Sequence, residues 1–505
     1  MNKIKEQFKK DFEESNKKVD LTFDVSKLQL NEESEVTFEE IKRKKKNKRR
    51  IIIFSTVSAV TVLTVVGISL SQMLEINTSV TTMKRNLSLN TVAIAESNTF
   101  KKLNSFSYPE NSYGIRNKVT DSAVSAYNNF TNETYHSLVD TSKKDNMSYA
   151  SIGLYSIMNE LYGAISREDL KNQFDNLLGL NENTRKSFYK SVMEANSFIN
   201  EDNTTQLKNA AFFNTVFNHS KEYVDNLTQL YCEAYKIDFK TEANKMVEWV
   251  NKAVYSDGFI DEQFLNMSEY TQLYYLSTLY FKNAWKEKYL SEDNIDDDFF
   301  LSNGSKKTVK YMKHSYMCEE YYDYESYISI RDYYMNGNAS ITYIVPKKID
   351  DDIFALTKNK NIFEDKIENR VKVDPGADYY RAVLVNLQTP KFKVDIELDL
   401  KNTLINLGFA DMFNDQIDSF SKAFDDPSAP NYNFYLAQMK QKNEVEFNED
   451  GTIVKSVSFG SVEAKDTSMG PPGDEIDVKL NQPFIYIVRD CNDVPILVGH
   501  IDNPQ

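Results

Sequence analysis

Apolar and polar positions follow three regimes along this 505-residue chain. From Ile51 to Leu70 no charged residue occurs, and many positions are β-branched or small. About twenty such residues, at roughly 1.5 Å of rise each, cross the ~30 Å hydrocarbon core of a bilayer as one helix. Residues 73–114 carry Asn, Ser and Thr with little apolar periodicity and read as a stalk. From about residue 115 to the end the pattern is globular. Ala123 to Val139 and Ile152 to Leu161 place apolar residues at helical spacing, and Glu168 to Leu180 continues in that style. Strand-like runs come later. Leu273 to Phe281 is almost continuously apolar or aromatic, Ile341 to Val345 stops at Pro346, and Val383 to Leu387 stops shortly before Pro390. Phe484 to Val488 and Ile496 to Ile501 close the chain. Helices followed by many non-alternating strands predict an α+β domain with large buried sheets. No internal repeat is present.

The apolar run is preceded by a polar tail, residues 1–41, and by the block Lys42-Arg43-Lys44-Lys45-Lys46-Asn47-Lys48-Arg49-Arg50. Such a block in isolation reads as a nucleic-acid or nuclear-targeting patch. Abutting a spanning segment, it holds that flank in the cytoplasm. A cleaved signal peptide is the rival reading, but its charged region is normally far shorter than fifty residues and no small-residue cleavage site follows. The division is therefore a cytoplasmic tail (1–50), a single membrane helix acting as signal anchor (51–72), an extracellular stalk (73–114) and a folded extracellular domain (115–505). Secretion after cleavage is the alternative. The Asn- and Lys-rich composition has the character of low-GC bacterial coding.

Composition narrows the function. A hydrophobic share of 41% with 13% aromatics supports a sizeable core, and a net charge of −15 argues against binding nucleic acid by phosphate neutralisation. Cys232, Cys318 and Cys491 are far apart, odd in number and outside any zinc spacing, so they read as buried small side chains. His136, His219, His314 and His500 fall in no metal-binding pattern, and neither a GxSxG elbow nor a phosphate-cradling loop occurs. No catalytic residue, metal or cofactor is assigned. The acidic run Glu292 to Asp298 lacks the glycine and terminal glutamate of a calcium loop and reads as a solvated turn. The tyrosine-rich stretch Tyr321 to Tyr334 reads as sheet surface.

Five stretches, in order, carry a resemblance. They are Ser148-Tyr-Ala-Ser151-Ile152 leading to Gly163-Ala164; Tyr280-Phe281-Lys282 with Trp285; and Pro390-Lys391-Phe392 with Leu407-Gly408-Phe409, Phe413 and Asp418 to Ser421. Phe447-Asn448-Glu449-Asp450-Gly451-Thr452 follows, then Pro483 to Asp490 with Ile496 to Gly499 and Asn503-Pro504. Over roughly residues 115–505 the chain resembles the serpin family. The resemblance implies three β-sheets, about nine helices, a metastable monomer and an exposed reactive-centre loop at about 449–478. It also implies a protease inhibitor rather than an enzyme. The partner is a serine protease that cleaves the loop, becomes acylated by it and is dragged as the loop enters the main sheet. Trp285 matches the tryptophan at the top of that sheet, the breach. Ser148, Ser151, Ser277 and Gln441 match the hydrogen-bonded group beneath it, the shutter, where the family has two serines, an asparagine and a histidine. Serine and glutamine both donate and accept, so the network survives with altered strength; ordinary buried polar satisfaction is the plainer reading.

The loop has its own pattern. In a strand, successive side chains face opposite sides. One face carries Thr452, Val454, Ser456, Ser458, Gly460, Val462 and Ala464, all small or uncharged. The other carries Ile453, Lys455, Val457, Phe459, Ser461, Glu463 and Lys465, with every charge in the segment. The segment thus has one face to bury and one to leave in solvent. A flexible loop with accidental alternation is the other reading, although loops carry more Pro and Gly than this one. Gly470-Pro471-Pro472-Gly473 ends any strand. Counting as the family does from Gly451 puts the scissile bond at Lys465–Asp466, a lysine suited to an acid-floored protease pocket. Asp466 is an unfavourable neighbour and the segment to Lys479 is long, so Met469 is the second candidate. The hinge, Glu449, Asp450, Gly451, Thr452, Ile453 and Val454, lacks the family's alanine run. Bulk at Val454 slows insertion and favours simple cleavage, or a non-inhibitory binding role on the same scaffold.

Overall fold

The structure, a computed structural model, describes residues 101–108, 119–141, 146–199, 203–335, 339–349, 351–358, 360–364, 369–370, 382–452 and 475–504. The expected tail (1–50), membrane helix (51–72) and stalk as far as residue 100 lie outside them. Among the described residues no helix is long and apolar enough to cross a membrane.

In chain order the first part runs β1 (Lys101–Lys102), α1 (Asp121–Thr141), β2 (Met147–Tyr149), α2 (Ser151–Tyr162), α3 (Glu168–Leu178) and α4 (Glu182–Ala195). It continues with β3 (Ser197–Ile199), β4 (Thr204–Asn214), α5 (Lys221–Gln229), β5 (Cys232–Ile237), α6 (Asn244–Ala253), α7 (Glu262–Leu265) and β6 (Leu273–Lys282). Then come β7 (Ile295–Phe300), β8 (Lys306–Cys318), β9 (Tyr321–Asp323), β10 (Tyr327–Tyr333), β11 (Ala339–Pro346), α8 (Ile353–Thr357), β12 (Val383–Pro390) and β13 (Phe392–Asp399). The last part is α9 (Lys401–Asn406), β14 (Lys440–Asn448), β15 (Gly451–Thr452), β16 (Glu475–Lys479), β17 (Phe484–Asp490) and β18 (Pro495–Ile501).

Local chemistry sets the helix ends. Asn181 and Ser220 cap α4 and α5 by accepting the backbone N–H of Thr184 and Tyr223. Helix α3 stops where Gly179 turns left-handed at φ 68°. Helix α2 is buried along its whole length, as its apolar composition requires, and forms the central spine behind the sheets.

The family resemblance implied three sheets, whereas the described residues form four hydrogen-bonded sheets. One is β2-β18-β17-β11-β10-β9, and another is β16-β12-β8-β7. The third sheet is divided: β1-β5-β4-β3, with β6 also paired to β4, makes one half, and β13-β14-β15 the other. Apart from one bridge between Asn283 and Thr452, no ladder joins β6 to β14 among the described residues. The split between these two strands accounts for the extra sheet.

Two local readings are corrected. The acidic run Glu292 to Asp298 is no turn over its length: Ile295 onward is β7, paired with β8. Cross-strand lysines neutralise it, with Lys310 on Asp296, Lys306 on Asp298 and Lys479 on Asp297. Tyr321, Tyr322, Tyr327 and Tyr334 are buried and are core rather than sheet surface.

Candidate functional site: the hinge and the split sheet

Strand β14 rises to Asn448, turns at Glu449 and Asp450, and comes back down as β15 between the two halves of the divided sheet. Thr452 pairs antiparallel with Phe447 on one side and with Asn283 on the other. The second pairing is reciprocal: Thr452 N–H donates to Asn283 O at 3.0 Å, and Asn283 N–H to Thr452 O at 3.2 Å. Thr452 is 1% exposed, and its hydroxyl lies 2.6 Å from that of Tyr334. Thr452 therefore pairs with both halves of the divided sheet.

Gly451 is needed for that turn. Its φ is +137°, and a Cβ there would sit 2.1 Å from Asn283 O and 2.8 Å from Ala284 Cα. Trp285 closes the top by donating its indole N–H to Asn448 O at 2.8 Å and stacking on Tyr334 with ring centroids 4.8 Å apart. Glu449 takes Lys391 Nζ at 3.0 and 2.8 Å on its two oxygens and accepts from the amide of Asn294. Burial opposes ionisation of this carboxyl, yet the ammonium and the amide outweigh it and hold Glu449 below its ordinary range.

Lower down, three elements meet where α2 begins. Gln441 of β14 accepts Ala150 N–H at 2.8 Å and donates back to Ala150 O at 2.9 Å. A Cβ on Gly153 would lie 3.1 Å from Gln441 Nε2 and 3.7 Å from Ser277 Oγ, so β6, β14 and α2 converge on this glycine. The Ser277 hydroxyl is buried with no hydrogen-bond partner among the described residues. Ser151 lies deeper, with its Oγ 3.0 Å from the Tyr127 hydroxyl and donating to Pro495 O at 3.3 Å. Ser148 is buried on β2, and its carbonyl accepts from Asn443 at 2.8 Å.

The structure thus gathers Ser148, Ser151, Ser277 and Gln441 around one helix end, and Trp285, Glu449, Gly451 and Thr452 around the top. The expected reactive bond Lys465–Asp466, Met469, the hinge residues Ile453 and Val454 and the face residues Ser456, Ser458, Gly460, Val462 and Ala464 lie outside the described residues. Three participants were missed: Asn443, which bridges Ser148 O and Gln441 Oε1, and Asn283 and Tyr334, which hold Thr452. Asn443 had a signal, since it shares the inward parity of Gln441, Val445 and Phe447 on β14. Tyr334 had none, because its partner is 118 residues away.

A divided sheet with a loop hinge lodged in its top, backed by a buried spine helix, defines a class of protease inhibitor. The match to the family Serpin (serine protease inhibitor) spans residues 125–504, and the chain belongs to that family. It is a protease inhibitor of this family rather than an enzyme. Among its relatives, leukocyte elastase inhibitor A of Mus musculus is 27% identical over 303 residues, 57% of this chain and 74% of that protein. Serpin-Z2B of Triticum aestivum is 26% identical over 288 residues, 54% of this chain and 67% of that one. Of solved structures, the thermophilic serpin tengpin in its native state superposes with a TM-score of 0.65 at 19% identity, over 80% of this chain and all of that one.

Proposed function

We propose that the chain inhibits an extracellular serine protease, trypsin-like or subtilisin-like, as a suicide substrate whose loop is cut at Lys465–Asp466. The protease serine oxygen attacks the Lys465 carbonyl, and the bond to Asp466 nitrogen breaks. That nitrogen leaves as an amine carrying the transferred proton, and an acyl ester joins the two proteins. Insertion of the loop between β6 and β14 then traps the ester before water reaches it.

The observation that supports this reading is the position of Thr452. Its two pairings fix both register and face for any strand that continues from it. Six residues on from Thr452 is Ser458; six residues back from Asn283 is Ser277, and six back from Phe447 is Gln441. Both ladders therefore bring Ser458 between Ser277 and Gln441, at the place where the Ser277 hydroxyl lacks a partner. The same parity turns Thr452, Val454, Ser456, Ser458, Gly460 and Val462 inward and leaves Lys455 and Glu463 outside. The test mixes the ectodomain with trypsin-like and subtilisin-like proteases on denaturing gels, with mass spectrometry of the cut loop. A covalent complex with a new N-terminus at Asp466 supports the reading. A loop cut cleanly with no complex at any protease opposes it and favours the binding role that the bulky hinge Ile453-Val454-Lys455 suggests.

We also propose that residues 51–72 anchor the inhibitor in the membrane of a bacterial cell, tail inside and inhibitor outside. Support comes from the uncharged run beside a basic block. Carbonate extraction and surface proteolysis of cells test it: a released, soluble chain opposes anchoring.

A further inference from the structure

Residues 101–108 precede the family match, fall within the stretch that reads as a stalk, and yet lie against the body. Strand β1 pairs antiparallel with the outer edge of β5, Lys101 with Lys236 and Lys102 with Tyr235, and Leu103 N–H donates to Ala234 O at 2.7 Å. Asn104 extends the pairing with its side chain, accepting Ala234 N–H at 2.9 Å and donating to Cys232 O at 2.8 Å and Thr228 Oγ1 at 3.1 Å. The segment thus ties β5 to the end of α5. Phe106 packs edge-on against Tyr108 and Tyr231, and the Tyr108 hydroxyl is buried.

Lys102 reaches further. Its ammonium sits 2.8 Å from Glu233 Oε1, on a residue of β5 only 4% exposed. The other Glu233 oxygen accepts from the indole of Trp249 at 2.8 Å and from Tyr235 at 2.7 Å. Trp249 belongs to α6, which covers the front of this half of the sheet by packing Met246, Trp249, Val250 and Ala253 over Ala210, Phe212, Tyr235 and Leu276. Lys102 therefore supplies the cation for a buried carboxylate that fastens α6 to β5. Without that cation Glu233 is a buried charge left with two neutral donors and the ammonium of Lys208 at longer range.

Opening the sheet for one more strand separates β6 from β14 by about 4.8 Å. Strand β6 carries β4, β5 and the helix lying across them, so α6 and the edge of β5 must shift against their surroundings. We propose that residues 101–108 are a brake strap, in which Lys102 and Asn104 hold β5, α5 and α6 in the unexpanded arrangement and set the rate of loop insertion. This rests on the insertion reading above.

The experiment nicks the loop of the full chain and follows insertion by the fluorescence of its two tryptophans, one on α6 and one at the top of the sheet. Thermal stability is measured before and after the nick. Lys102→Ala and, separately, Asn104→Ala speed the change by about tenfold, the size expected for losing one charged or three neutral hydrogen bonds from the starting state alone. Ser105→Ala, at an exposed strap position, leaves the rate as it was. A strap that is merely structural lowers the melting temperature of the intact variants without changing the insertion rate, and that outcome overturns the proposal while leaving insertion standing. A nicked native chain that gains no thermal stability overturns the insertion reading and the brake with it.

Discussion

Trp285 donates its indole N–H to the carbonyl oxygen of Asn448 at 2.8 Å, which fastens the last residue of β14 to the top of β6 where the loop turns back. The ring is 1% exposed and stacked on Tyr334, so the bond is made in a dry site and loses little to water. Trp285→Phe keeps most of the ring area and loses the bond. It leaves Asn448 O without its donor and costs about 1–3 kcal/mol. The expected outcome is a lower melting temperature of the intact protein and faster proteolysis around Gly451. An unchanged melting temperature means the bond contributes nothing to holding the breach.

Gly451→Ala puts a methyl group into the backbone of Asn283 at a φ that L residues rarely adopt. The strand end has to leave the sheet, and the Thr452 bridge is lost with it. Loss of at least ~2 kcal/mol of stability and loss of covalent complex with retained loop cleavage are expected together. Denaturant unfolding and denaturing gels read the two.

If the loop inserts as proposed, continuing the Thr452 pairings carries Val454 between Phe281 and Val445, both buried. Val454→Ala removes bulk that a strand has to carry past those side chains. More of each protease encounter then ends in a covalent complex, so fewer inhibitor molecules are consumed per protease trapped. Titration of residual protease activity against inhibitor measures this. A ratio that stays put or rises counts against Val454 as the slow point.

Glu160 on the spine helix gives a pH signature. Burial raises its carboxyl well above the ordinary range, against a smaller opposing pull from the Cys232 thiol, and neither oxygen has a conventional hydrogen bond among the described residues. The folded state therefore keeps a proton that the unfolded chain gives up above about pH 4.3. Stability conferred by that bound proton is present at low pH and is lost as pH rises from there toward the folded value. Glu160→Gln holds a neutral group at every pH. Relative to this variant, the native chain becomes progressively less stable as pH rises above about 4.3, read by chemical unfolding at each pH. Parallel pH profiles for the two proteins contradict the assignment.

The long elements were legible because their patterning is local. The run Leu273 to Phe281 is β6, with one residue added, and the spine helix Ser151–Tyr162 differs from Ile152 to Leu161 by a residue at each end. The top of the sheet was legible through resemblance, since Trp285 and the turn before Thr452 keep the family's spacing. Three things were not. The acidic run became a strand because lysines of β8 and β16 neutralise it, and no local pattern carries those partners. Tyr334 reads as one tyrosine among many until the fold lays it under Trp285. Lys102 lies in a polar stretch with no periodicity, and its role depends on Glu233, 131 residues away.

The central claim is that Thr452 is the first residue of a strand whose remainder enters between β6 and β14. A crystal structure of the chain nicked in its loop tests it most directly. The account predicts a continuous strand from Thr452 onward, hydrogen-bonded to both neighbours, with Ser458 between Ser277 and Gln441. A nicked loop left outside the sheet, with β6 and β14 still divided, contradicts it.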